Sequence, residues 1–256
     1  MGWRRGWGIA RSLAMYHAIP GRRRRMARRY AEFLGPGDLA FDVGAHVGSR
    51  VRAWRSMGVR VVALEPQPDC LRVLRLLFGR DPQVLILPLA VGARAGRARL
   101  SVSTATPTVS SMSATWIESA AADRRFSRVR WDRSLEVTVT TLEELITAHG
   151  VPAFVKIDVE GFEVEVVAGL RRPLPALSFE YLPAAHDQAL AVLDLLGRLG
   201  DYTYNYSPVE TMRLASERWL TPKELVDVLE GVRPLGRSGD VYARQLPPGE
   251  AAEDRG

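Results

Sequence analysis

A glycine turn between a short apolar strand and a helix constrains the fold of this chain more than any other feature. The segment reads FDVGAHVGS from Phe41 to Ser49, and a helical pattern follows it. Gly44 and Gly48 let the backbone turn sharply and let a ligand approach closely. The following helix start adds N–H groups without helical partners and a positive dipole end. Such a turn at the carboxyl end of a strand is where open α/β sheets bind ligands.

The pattern around this turn is an alternation of strands and helices, which predicts an α/β fold with a mostly parallel sheet. We predict five strands of this kind and two later ones, at residues 38–43, 59–64, 84–91, 153–157, 177–181, 201–207 and 240–244. Residues 97–139 break the rhythm and indicate a β insertion after the third strand. It carries the hydroxyl-rich loop TATPTVSSMS. Loops of this length are functional or disordered, so this one either closes over a substrate or is a mobile surface loop.

The residue at position 42 discriminates between two kinds of ligand. A dinucleotide fingerprint would place a glycine there, but the chain has Asp42. A carboxylate repels a pyrophosphate and suits a cation such as the sulfonium of S-adenosylmethionine. Glu65 ends the second strand, where an acid accepts hydrogen bonds from ribose hydroxyls. The pair favours S-adenosylmethionine over NAD, although Asp42 alone could be a helix cap and Glu65 an exposed strand end.

Composition and charge divide the chain into three parts. Residues 37–246 are predicted to form the catalytic domain, residues 1–36 a basic helical appendage, and residues 247–256 a disordered tail. The appendage is rich in arginine, which indicates a solvated basic face, a weak contact with an anionic membrane, or a nucleic-acid contact. Cys70 is the single cysteine, and no run reaches the ~18 apolar residues of a membrane span. We therefore expect a cytoplasmic protein.

Several motifs together resemble the FkbM family of S-adenosylmethionine-dependent methyltransferases. They are FDVGAHVGS, LEPQP, LAVG, the small motif Ser110-Ser111-Met112, an upstream TLEEL, and VKIDVEGFEVEVVAGL. The resemblance covers about residues 36–245. At position 46 the family more often has Asn than His. The resemblance implies a Rossmann-like methyltransferase fold: a mostly parallel seven-stranded sheet with helices on both faces and the last strand antiparallel.

The resemblance also implies O-methylation of a hydroxyl on a sugar, glycan or polyketide-type small molecule. S-adenosyl-L-methionine is the expected cofactor. The residues expected to bind it are Asp42, Gly44, Ala45, His46, Gly48, Glu65, Pro66, Ala90 and Asp158.

Three carboxylates are candidate catalytic residues because they stand at the ends of neighbouring strands. Asp158 and Glu160 follow the fourth strand, and Glu180 lies near the end of the next. Methyl transfer to a hydroxyl needs alignment and removal of a proton, so each of the three is a candidate base or a ligand for acceptor hydroxyls. His186 is a further candidate base. A divalent ion at these carboxylates is an alternative, but we predict no metal. Lys156 is expected to pair with a carboxylate.

The basic appendage would also suit a nucleic-acid methyltransferase or an RNA-binding protein. Enzymes that methylate base amino groups usually carry an N/D-P-P-Y/F turn after the fourth strand, and here the sequence is DVEG at residues 158–161. We therefore do not expect a nucleic-acid partner. Two further rival functions are a dehydrogenase, which Asp42 disfavours, and a catalytically inactive cofactor-binding scaffold. The oligomeric state stays open.

Overall fold

The computed structural model describes residues 19–122, 126, 129–209 and 211–247. Its main feature is a seven-stranded sheet with the order β3-β2-β1-β7-β8-β10-β9. The strands of this sheet are β1 Leu39–Val43, β2 Arg60–Leu64, β3 Val84–Leu87, β7 Phe154–Ile157, β8 Ala176–Tyr181, β9 Tyr202–Pro208 and β10 Gly239–Gln245. The last strand, β10, lies antiparallel to both β8 and β9. The predicted Rossmann-like sheet with an antiparallel last strand is confirmed.

Helices cover both faces of the sheet. They are α1 Arg22–Tyr30, α2 Ser49–Arg55, α3 Pro68–Phe78, α4 Ala114–Ala122, α5 Leu142–His149, α6 Glu163–Ala168, α7 His186–Leu199 and α8 Pro222–Val232. One core cluster joins the sheet to α5, α6, α7 and α8. A second cluster joins the opposite face to α1, α2 and α3. Strand β1 is buried between them, as expected for a central parallel strand.

A separate three-stranded sheet forms the predicted insertion. It consists of β4 Ala90–Val91, β5 Gly96–Val102 and β6 Arg133–Thr140, in the order β4-β6-β5. The single third strand predicted at 84–91 was wrong, because β3 ends at Leu87 and residues 90–91 pair with β6. Pro88 separates the two segments, and a proline has no N–H to continue a ladder. The chain changes sheets at this point.

Helix α1 is part of the core, which corrects the prediction that all of residues 1–36 are an appendage. Met26 and Tyr30 are fully buried. The Tyr30 ring packs edge-on against Trp54, with centroids 5.2 Å apart, and against Phe154 at 5.3 Å. These positions recur at helical spacing within an arginine-rich segment, so the arginines conceal a narrow apolar face.

Both chain ends fall partly outside the described residues. The proposed appendage at 1–18 and the predicted disordered tail at 248–256 lie there, so these parts of the domain division stay predictions. Across the described ranges, the longest apolar helices are too short or too polar to cross a bilayer.

Candidate functional site

A cleft of about 930 Å³, including the part open to solvent, lies at the carboxyl ends of β1, β2, β7 and β8. Parallel strands bring these ends to one edge of the sheet. Nine of the residues predicted from the sequence line this cleft: Gly44, Ala45, His46, Glu65, Pro66, Ala90, Asp158, Glu160 and Glu180. Asp42 and Gly48 are the two predicted cofactor-binding residues that do not line the cleft.

The glycine turn closes directly on the neighbouring strands. Gly44 has a φ of 83°, and a Cβ on it would lie 1.9 Å from the carbonyl oxygen of Asp158. The backbone N–H groups of Gly44 and Ala45 both donate to the carbonyl of Leu64, at 3.0 Å. Gly48 has a different role, because a Cβ there would meet the Phe78 ring at 2.5 Å. Gly48 therefore lets α3 pack against the turn. It does not line the cleft, although the sequence analysis predicted that it contacts the cofactor.

Glu65 is buried and anchors two turns at the cleft wall. Its Oε2 accepts the backbone N–H of His46 at 2.9 Å, and its Oε1 accepts that of Gln67 at 2.7 Å. Burial raises the pKa of Glu65 to about 7, although both hydrogen bonds act against the rise. His46 has a φ of 48°, in the left-handed region that Asn and Asp tolerate better than most residues.

Asp42 stands behind the turn instead of in the cleft. It is 1% exposed and pairs in register with Lys156 on β7. Neither of its carboxylate oxygens has a hydrogen-bond partner within the described residues. Burial raises the pKa of Asp42 to about 6, although Arg50 lowers it. Asp42 therefore does not line the cleft, and its predicted contact with the cofactor stays a prediction.

A buried network of charges holds Asp158 at the end of β7. The Lys156 Nζ lies 2.9 Å from Asp240 Oδ1 and 3.7 Å from Asp158 Oδ2. Arg50 Nη1 lies 3.2 Å from the same Asp158 oxygen. Burial acts to raise the pKa of Asp158, but Lys156 and Arg50 outweigh it, and the pKa is lowered. Asp158 is therefore ionised at neutral pH, and the expected pairing of Lys156 with carboxylates is present.

Glu160 and Glu180 face Asp158, and their pKa values shift in the opposite direction. Carboxylate oxygens of the three residues lie within 4.8 Å of one another. Burial first, and then the neighbouring carboxylates, raise the pKa of Glu160 and of Glu180 well above the usual range. Like charges so close together disfavour joint ionisation. The three oxygens could also ligate a divalent cation if both glutamates lost their protons, so the metal alternative keeps a geometric basis.

The insertion contributes one wall of the cleft. Thr108, Ser110 and Met112 line it. The Ser111 hydroxyl donates to the carbonyl of Glu160 at 2.6 Å, which holds a residue whose φ is 53°. The hydroxyl-rich loop thus lines the cleft, and its closure over a substrate stays a prediction.

Three residues were judged differently by sequence and structure. His186 lies outside the cleft, where its Nδ1 is 3.2 Å from the Tyr181 hydroxyl and its Nε2 is 3.2 Å from Glu230 Oε1. Arg50 and Asp240 were missed. Lys156 could have indicated that further charged residues are buried nearby, since a lysine inside an otherwise apolar strand needs buried counter-charges.

Comparison with known proteins agrees with the family expectation. The family model described as "Methyltransferase FkbM domain" matches residues 42–206, which is more than half of the chain. A curated relative, hexuronic acid methyltransferase AglP of Haloferax volcanii, is 28% identical over 144 residues, which cover 56% of this chain and 54% of the relative. The chain thus spans about half the length of that relative.

Solved structures give weaker likenesses. A TehB-like SAM-dependent methyltransferase from Corynebacterium glutamicum has a TM-score of 0.47 and 11% identity, covering 92% of this chain and 94% of its own. A precorrin-6y C5,15-methyltransferase from Geobacter metallireducens has a TM-score of 0.46 and 13% identity, covering 88% and 87%. The fold assignment rests on the strand order described above. The match over residues 42–206 establishes that the chain belongs to the FkbM methyltransferase family.

Proposed function

We propose that this protein transfers a methyl group from S-adenosylmethionine to a hydroxyl group of a sugar-type small molecule or glycan. The observation that carries the proposal is that the carboxyl groups of Asp158, Glu160 and Glu180 meet within 4.8 Å in one cleft. Lys156 and Arg50 lower the pKa of Asp158, while the pKa values of the two glutamates are raised. Such a site offers a proton acceptor beside groups that hydrogen-bond to hydroxyls. The hexuronic acid named for the relative in Haloferax volcanii supports an acceptor of the sugar class.

The donor set of the cleft fits the cofactor. Glu65 presents a carboxylate that backbone N–H groups hold in place, and such a carboxylate accepts hydrogen bonds from ribose hydroxyls. The turn residues Gly44, Ala45 and His46 would bound the methionine end. When bound, S-adenosylmethionine would supply an activated methyl group on a sulfonium, with the thioether of S-adenosylhomocysteine as the leaving group.

The residues of the chain then have separate roles in this proposal. Asp158 accepts the proton of the acceptor hydroxyl, since Lys156 and Arg50 keep it ionised. The raised pKa values of Glu160 and Glu180 favour a proton on this pair, and a protonated carboxyl can both donate and accept hydrogen bonds to neighbouring hydroxyls. The loop with Ser110 and Met112 excludes water from the cleft. Because the leaving group is already activated, alignment of donor and acceptor contributes most of the rate.

The experiment uses the full chain with radiolabelled S-adenosylmethionine. Hexuronic acids, neutral hexoses, polyketide alcohols and RNA are offered as acceptors. Mild alkali cleaves a methyl ester and leaves a methyl ether intact, so it separates carboxyl from hydroxyl methylation. Label in an alkali-stable sugar product is expected. Label in RNA, or only in alkali-labile esters, would contradict the proposal.

Variants assign the base once an acceptor is known. Asp158→Asn is expected to lower kcat by ~10²–10⁴-fold, with little change in S-adenosylhomocysteine affinity. Glu160→Gln and Glu180→Gln are expected mainly to raise KM. Asp187→Asn is the matched control, since Asp187 lies outside the cleft. A normal kcat for Asp158→Asn would show that the proton leaves by another route.

A further inference from the structure

A second, basic cavity lies beside the cleft. Its volume is about 610 Å³, including the part open to solvent, and Arg22, Arg23 and Arg52 line it. No carboxylate is found among the described residues of its wall. Ser49 lines both this cavity and the cleft. The two are therefore neighbours that share this residue in their walls. The function proposed above makes no use of these arginines.

Chain direction explains why this basic cavity opens at the same edge of the sheet as the cleft. Helix α2 starts at Ser49, directly after the carboxyl end of β1. Helix α1 packs against α2 and leads through a short connection into the amino end of β1. The first turn of α1, with Arg22 and Arg23, therefore lies at the opposite end of the sheet from that connection. This is the edge where the cleft opens.

The chemistry of the basic cavity suits a phosphate group. Guanidinium groups bind phosphate through paired, charge-assisted hydrogen bonds. The first turn of α1 contains no acid, and Gly21 supplies no side-chain cap. The backbone dipole at this turn therefore adds to the charge of the three arginines. A neutral or cationic group would find no counter-charge in the described part of this wall.

We propose that the basic cavity binds a phosphoester of the methyl acceptor, while the acceptor's hydroxyl lies in the cleft. The acceptor is then a phosphorylated sugar, or a sugar linked through phosphate to a carrier. The identification of the bound phosphoester as part of the methyl acceptor rests on the proposed function. The anion site itself stands on the arginines, their shared wall with the cleft and their position at the cleft edge.

The test is calorimetric titration of the full chain at physiological salt concentration. Glucose 1-phosphate and sodium pyrophosphate are the probes, and glucose is the uncharged control. The variants are Arg23→Ala and the double variant R22A/R23A. The matched control R24A/R28A removes two charges from the same helix at positions that do not line the cavity. Circular dichroism verifies that each variant is folded, and Arg23→Ala, at an exposed position, keeps the test valid if the double variant unfolds.

We expect both phosphates to bind, R22A/R23A to weaken them at least about tenfold, and R24A/R28A to change affinity less than about twofold. Equal weakening in both double variants, or no binding of either phosphate to the unaltered chain, would overturn the proposal. Vesicles of phosphatidylglycerol form a second arm. If they bind, and both double variants reduce that binding equally while glucose 1-phosphate does not bind, the arginines form a membrane surface and the proposal is wrong.

S-adenosylhomocysteine is titrated separately into the same samples. If the phosphates bind but S-adenosylhomocysteine does not, the anion site stands and the proposed function fails. If S-adenosylhomocysteine binds and the phosphates do not, only this inference fails. The experiment therefore distinguishes failure of the proposed function from failure of the anion-site proposal.

Discussion

Replacing Asp42 by Asn should stabilise the protein more at pH 8 than at pH 4.5, by about 2 kcal/mol. Asp42 is fully buried, and its carboxylate oxygens lack hydrogen-bond partners within the described residues. Burial raises its pKa from the ordinary 3.8 to about 6. The protonated form thus stabilises the native state at low pH. That stabilisation is complete below pH 3.8 and is lost as the pH rises through about 6.

The size of the effect follows from the shift. A difference of about two pKa units corresponds to about 3 kcal/mol of folding free energy. About 2 kcal/mol of it should be lost between pH 4.5 and pH 8, because part of the unfolded chain is already ionised at pH 4.5. Asn carries no titrating proton, so this loss disappears in the variant. Glu65 and Glu163, whose pKa values are also raised by burial to about 7, titrate in both proteins. The Asp42 charge contributes a minor part of the Glu65 shift, and the remainder cancels in the comparison.

Equilibrium urea unfolding at the two pH values measures this difference without cofactor. The free energy of unfolding of D42N relative to the unaltered chain should be about 2 kcal/mol more favourable at pH 8 than at pH 4.5. Asp158→Asn is the matched control with the opposite expectation. The pKa of Asp158 is lowered, so its ionised form stabilises the protein at both pH values and the variant should gain nothing at pH 8. A D42N difference that does not change with pH would refute the buried-carboxylate argument.

Five further outcomes are expected. Tyr30→Ala should lower the free energy of unfolding by about 3–5 kcal/mol, and deletion of residues 1–30 should give an unfolded or aggregated chain, as measured by circular dichroism. Gly44→Ala should abolish S-adenosylhomocysteine binding, because the added Cβ meets the carbonyl oxygen of Asp158. S-adenosylhomocysteine affinity should fall as the pH drops below about 7, since the ribose then meets a protonated Glu65, and Glu65→Gln should flatten this profile. EDTA should leave activity unchanged, and loss restored by Mg²⁺ would instead establish a cation at the carboxylates.

The sequence predicted what depends on local chemistry. Most strand ends, the glycine turn and the carboxylates near the ends of β7 and β8 were placed correctly, because each is marked by residue type within a short segment. Gly44 shows this well, since a positive φ and a close approach of backbone both require glycine there. The change of sheets after Leu87 was missed, although Pro88 marked it, because β3 and β4 read as one apolar run.

Relations between distant segments could not be predicted in this way. Asp240 lies on the last strand and reaches Lys156 only because β10 is inserted next to β8. Arg50 precedes Asp158 by more than a hundred positions in the chain, and no spacing rule links the two. The burial of Tyr30 was hidden for another reason, since the arginines around it gave α1 a strongly polar composition.

The buried network also explains how one cleft shifts the pKa values of its carboxyls in opposite directions. Both cations sit on one side of the cleft floor, within ion-pair distance of Asp158 and Asp240. Besides burial, the negative charge of Asp158 raises the pKa values of Glu160 and Glu180, and Lys156 lowers them by a smaller amount. A single pair of cations therefore lowers the pKa of one carboxyl, and that ionised carboxyl helps to keep protons on its neighbours. Removing Lys156 should thus disturb all three groups together, whereas removing Glu180 should leave Asp158 ionised.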